Sequence, residues 1–76
     1  MTRIRKPNHQ LMGLRLNRGL SPNELARLTG VSAPTIRLAE AGHIPQPRIQ
    51  FALAEFFGVE VVDIWPLPGH RVAVPA

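Results

Sequence analysis

The sequence predicts an all-α fold, a compact bundle of five short helices. Three observations carry that expectation. Residues suited to a core recur at three- and four-residue spacing along most of the chain. Side chains able to cap a helix stand ahead of three such stretches, at Asn8, Ser21 and Ser32, and glycines follow four of them, at Gly19, Gly30, Gly42 and Gly58. Pro22 and Pro34 fall in first turns, where proline removes no intrahelical hydrogen bond.

Residues 1–7 read as a basic arm, because Pro7 discourages helix at Lys6. Asn8 is the N-cap expected for helix one, from His9 to Arg18, with Leu11, Leu14 and Arg15 at helical spacing. The next start is Ser21-Pro22-Asn23-Glu24. Ser21 caps, Pro22 takes the first helical position, and Glu24 stands three after the cap to close a capping box. Helix two runs from Pro22 to about Thr29 and offers Leu25, Ala26 and Leu28 to the core. Ser32 caps helix three, Ala33 to about Ala41, with Ile36, Ala39 and Glu40 on one face. His43 to Pro47 is a loop. Helix four, Arg48 to Phe57, carries Ile49, Ala52, Leu53, Phe56 and Phe57. Helix five, about Val61 to Trp65, is cut off by Pro66.

The domain organisation expected is a basic arm over 1–7, one domain over 8–65 and a tail over 66–76. The tail segment His70-Arg71-Val72-Ala73-Val74 is either a short strand that pairs with its twin or a loose segment. At 76 residues, no second, effector-sensing domain is expected. No internal repeat or low-complexity tract stands out.

Composition narrows the function. The net charge is +4, unevenly spread. Residues 1–48 hold eight Lys and Arg against Glu24 and Glu40, a balance of +6, and residues 49–76 hold Arg71 against Glu55, Glu60 and Asp63, a balance of −2. A basic front half suits a polyanionic partner, although charge alone does not decide the matter. Cysteine is absent, which excludes disulfides and thiolate metal sites and fits a reducing compartment. The basic N-terminus has no apolar run after it, and no stretch approaches the ~18 apolar residues of a membrane span. A cytoplasmic protein is therefore expected. His9, His43 and His70 lack metal-ligand spacing, the five acids are unpaired, and no glycine-rich phosphate loop occurs. No enzyme, metal, cofactor or small-molecule ligand is expected.

The segment Thr29-Gly30-Val31-Ser32 carries the functional signal. Two helices joined over three or four residues must cross steeply. That crossing needs a small residue where they touch (Ala26), a glycine where the backbone turns (Gly30), and apolar groups inward at Leu25, Val31, Ile36 and Ala39. Helices two and three thus form a helix-turn-helix. With Leu14-Arg15, Gly19-Leu20-Ser21, Glu24-Leu25-Ala26, Gly30-Val31-Ser32, Thr35-Ile36, Glu40-Ala41-Gly42, Pro47, Leu53, Gly58-Val59 and Asp63-Ile64 in order, the stretch Leu11 to Trp65 resembles the Cro/repressor-type, or XRE, helix-turn-helix family.

The resemblance implies a DNA-binding transcriptional regulator, a Cro-like protein or small phage or prophage repressor. Its third helix would lie in the major groove of double-stranded DNA, and it would bind as a homodimer. It also implies that Arg15 and Glu40 form a structural ion pair between helices one and three. The family's base-reading positions fall at Ala33, Pro34, Thr35, Arg37 and Leu38, with Ser32 at the helix start. Ala33, Pro34 and Leu38 can offer only apolar contact, for instance to thymine methyls. Arg37 either pairs with guanine, contacts phosphate or is solvated. Pro22 departs from the family, many of whose members have a bracing glutamine there, and leaves Asn23 and neighbouring amides to meet phosphate. Gln46 and Arg48, with His43 less so, are the candidate phosphate clamps after helix three. Arg3, Arg5 and Lys6 make either a minor-groove arm or a basic tail with non-specific attraction. Arg18 and Arg27 are either near the DNA or ordinary solvated charges.

Phe51, Phe56, Phe57 and Trp65 are expected in the core or at a dimer surface, and Phe56, Val62 and Trp65 mark one candidate dimer face. The alternative function is a protein-interaction module of the same fold, an antitoxin or accessory phage protein, using the apolar face of helix three.

Overall fold

A computed structural model describes residues 6–66. Five helices follow one another: α1 (His9–Asn17), α2 (Pro22–Thr29), α3 (Ala33–Glu40), α4 (Pro47–Phe57) and α5 (Val61–Ile64). No strand occurs among the described residues.

The helix starts are set by local hydrogen bonds. Asn8 Oδ1 accepts from the Leu11 amide at 3.0 Å, Ser21 Oγ from the Glu24 amide at 3.1 Å and Ser32 Oγ from the Thr35 amide at 3.3 Å. Each bond satisfies an amide that has no partner inside its helix. The capping box at Ser21 is complete, because Glu24 Oε1 accepts in return from the Ser21 amide at 2.8 Å. Pro47, expected in the preceding loop, is the first residue of α4. Its fixed φ suits that position and its missing N–H costs nothing there.

One apolar side chain from each helix meets at the centre. Leu11, Leu25, Ile36, Leu53 and Ile64 are all fully buried. Val31, Ala39, Ala54, Phe57 and Trp65 close the cluster around them. Each Leu or Ile so buried contributes roughly 1.5–3 kcal/mol, so every helix has at least one such anchor in the core. The α2–α3 pair has the most extensive packing, and α1 lies against both α3 and α5.

One core expectation fails for a geometric reason, and one left open between core and dimer surface falls outside the core. Leu28 is 58% exposed. On a helix turning about 100° per residue, the covered sector of α2 runs from Leu25 past Thr29 and Pro22 to Ala26, and Leu28 falls outside it, beyond the Leu25 edge. Phe51 is 66% exposed because it stands nearly opposite the Leu53–Phe57 stripe of α4. Trp65 is buried, so it belongs to the core and not to an outer face.

Asn8 also ties the bundle together. Its Nδ2 donates to the Ile64 carbonyl at 3.0 Å, across 56 residues, and its amide donates to the Glu40 carbonyl at 2.8 Å. The start of α1 is thereby fixed to the ends of α3 and α5.

Candidate nucleic-acid interface

The turn between α2 and α3 is built from short-range bonds. Thr29 Oγ1 donates to the Leu25 carbonyl at 2.7 Å and accepts from the Val31 amide at 3.3 Å. Between them Gly30 adopts φ +78°, a left-handed conformation that side chains with a Cβ rarely take. Val31 then turns inward and is buried. The chain is reversed within three residues, which brings α3 across α2.

Burial separates α3 into two faces. Ile36, Ala39 and Glu40 are buried. Ser32, Pro34, Arg37 and Leu38 are exposed, and Ala33 and Thr35 are half-buried. Pro34, Arg37 and Leu38 recur at i, i+3 and i+4, so they share one outward stripe. Asn23, in the first turn of α2, joins it: Arg37 Nη2 donates to Asn23 Oδ1 at 3.4 Å.

The inward face of α3 is anchored by an ion pair. Arg15 Nε donates to Glu40 Oε2 at 2.6 Å and Arg15 Nη2 to Glu40 Oε1 at 2.9 Å. Arg15 Nη1 also donates to the Leu20 carbonyl at 2.8 Å. The two side chains retain 11% and 8% of their exposure. Hydrogen bonding to Glu40 raises the Arg15 pKa above its ordinary value against the opposing effect of burial. The guanidinium is therefore charged at any accessible pH. A two-bond fork of this kind fixes direction as well as distance, and so sets the angle of α3 against α1.

The remaining candidate positions are spread around this face. Gln46 and Arg48 are both exposed at the start of α4. Gln46 takes the N-cap position but makes no side-chain capping bond. Arg48 lines a shallow depression with Thr29, Gly30, Ser32 and Thr35, so it stands beside the α2–α3 turn. Lys6 is exposed, as is His43. Arg3 and Arg5 lie outside the described residues, as does the His70–Val74 segment.

Three features were not expected from the sequence. The Asn23–Arg37 bond joins residues 14 apart on different helices, and no local pattern marks it. Arg18 lies over the rings of Phe56 and Phe57, at 5.3 and 5.4 Å from their centroids. That cation–π contact links the end of α1 to α4. Thr29 plugs the end of α2 with its hydroxyl, a role for which only its place before Gly30 gave a hint.

Residues 11–64 match a family model described as Helix-turn-helix, of the XRE type. That span runs from the first buried leucine of α1 to the last residue of α5 and covers most of the chain. The chain belongs to this helix-turn-helix family. Comparisons with curated proteins and with solved structures find no match. The helix-turn-helix family is one of DNA-binding regulators, and this helix-turn-helix chain is in that general sense a DNA-binding protein. Among the described residues no helix is long and apolar enough to cross a membrane.

Proposed function

We propose that this helix-turn-helix protein is a transcriptional regulator of the Cro-like or small-repressor kind, and that α3 enters the DNA major groove. One observation carries the reading: α3 is buried along Ile36, Ala39 and Glu40 and bare along Pro34, Arg37 and Leu38. The helix is held rigidly from behind while a stripe with one cation faces out.

In this reading Ser32, Ala33, Pro34, Thr35, Arg37 and Leu38 meet the base edges. Asn23, Gln46 and Arg48 meet the phosphates on either side. Arg3, Arg5 and Lys6 reach along the adjacent backbone or minor groove. Two copies bind a two-fold site, with half-sites about one helical turn apart. The work is done in the cytoplasm, where the DNA is, and needs no cofactor or small ligand.

A second reading has one observation in its favour. Leu38 is 52% exposed and Ile44, just beyond α3, is 64% exposed, an apolar pair that would suit a protein partner.

Binding to a randomised duplex pool at two salt concentrations, followed by sequencing of the bound DNA, separates them. An enriched palindrome with half-sites about ten base pairs apart supports the dimeric regulator. Absence of binding at low salt, where phosphate contacts are strongest, overturns it in favour of the protein-directed reading.

A further inference from the structure

The outward face of α3 can be sorted by what its polar groups have left to offer. Ala33, Pro34 and Leu38 carry no hydrogen-bonding side chain. Arg37 carries donors only. Thr35 Oγ1 receives the Ser32 hydroxyl at 2.7 Å, which leaves its own proton to give away. Asn23, from the first turn of α2, is the side chain that bonds to Arg37. Its Oδ1 is taken by Arg37 Nη2 at 3.4 Å, a long bond that orients the guanidinium without clamping it. The nearby carboxylate of Glu24 is turned back to the Ser21 amide in the capping box.

This matters for base choice. An asparagine reads adenine by donating to N7 and accepting from N6 at once. Asn23 Oδ1 keeps a second lone pair, but its direction is tied to Arg37, so Asn23 is set to orient the guanidinium. The outward stripe itself, Pro34, Arg37 and Leu38, presents the Arg37 donors and apolar groups. In the major groove guanine offers two acceptors, O6 and N7, and thymine offers O4 beside a methyl. At Arg37, which carries donors only, adenine N6 or cytosine N4 would face donor against donor.

We propose that Asn23 is a positioning residue for Arg37, and that the surface they form selects half-sites rich in acceptor edges. Guanine lies at Arg37 and thymine lies against Pro34 and Leu38. The proposal rests on the DNA-binding reading above and adds to it the class of base that is read.

The test is the duplex-pool selection carried out in parallel on the wild type, Asn23→Ala, Arg37→Ala and the double variant. The side-chain amide NMR signals of Asn23 are followed in the free protein. The wild type should enrich guanine at one position of each half-site. Arg37→Ala should lose about tenfold of that preference, the scale of one bidentate contact. Asn23→Ala should weaken the preference at the same position, and the double variant should match Arg37→Ala alone. Without DNA, Arg37→Ala should shift the Asn23 amide signals. Independent, additive losses overturn the proposal, as does unmoved amide resonance, or adenine or cytosine enriched at the position that Arg37→Ala erases. A wild type that binds no duplex at low salt removes the DNA reading and this proposal together. A wild type that binds while any of the preceding results appears removes the proposal alone.

Discussion

Arg15 and Glu40 face each other through two parallel hydrogen bonds, at 2.6 and 2.9 Å, and nothing else polar is buried on the inward side of α3. Removing one partner leaves the other charged and largely out of water. Glu40→Ala should lower the unfolding free energy by about 3 kcal/mol, measured by urea denaturation without DNA. Replacing both, as Arg15→Met with Glu40→Leu, should recover much of that loss, because no buried charge is left. The recovery is incomplete, since the Leu20 carbonyl also loses its Arg15 donor. A Glu40→Ala protein as stable as the wild type would show that the pair contributes nothing to the fold.

The helix-turn-helix angle depends on backbone conformation at Gly30. A Cβ placed there meets no atom within 4 Å, so any cost of a side chain comes from φ +78° and not from a clash. Gly30→Ala should therefore destabilise by about 1–2 kcal/mol, the usual penalty for a left-handed L-residue. Gly30→Asn should cost less, because asparagine tolerates that region. Thermal melts of the two variants check this, and equal losses would argue for a steric cause.

Acid should weaken the cap of α2. The Ser21 amide and hydroxyl hold the Glu24 carboxyl below the usual carboxylate range. The folded-state pKa is thus lower than the unfolded one. The cap's contribution is fully present above the unfolded value and is lost as pH falls through the folded one. Glu24→Gln should remove that part of the acid dependence, read as the change in Tm between pH 6 and about pH 3. A variant whose melting follows pH as the wild type does would assign the dependence to another group.

Arg3, Arg5 and Lys6 are proposed to bind along the DNA. Deleting residues 1–6 should lower affinity and flatten the plot of log affinity against log salt, by about 0.9 for each phosphate that the arm neutralises. An unchanged slope would leave the arm without a place in the complex.

The sequence is most informative where contacts are local. Ser21 and Glu24 are three residues apart, and a capping box is a property of that spacing alone. Gly30 between two capped helices likewise marks the turn by itself. Periodicity tells which way a helix faces but not how wide a sector its neighbours cover, which is why it points Leu28 inward. Position in the fold decides such residues, because α3 and α4 cover α2 on one side of Leu25 and stop short of Leu28. The contacts of Arg37 with Asn23 and of Arg18 with Phe56 are illegible for a similar reason. They depend on crossing angles between helices, and no spacing within one helix encodes those.

The Asn8–Ile64 bond brings the way into the bundle and the way out of it to the same place. Lys6, Pro7 and Asn8 border the same hollow as Ile64, Trp65 and Pro66. A unit whose two ends lie side by side can be cut in a surface loop and rejoined with a short linker, giving a circular permutant with the same five helices. It can also be spliced into an exposed loop of a carrier protein. Either arrangement would present the outward face of α3 with no free basic leader ahead of it, and so separate what the globular part contributes to DNA binding from what its arm adds.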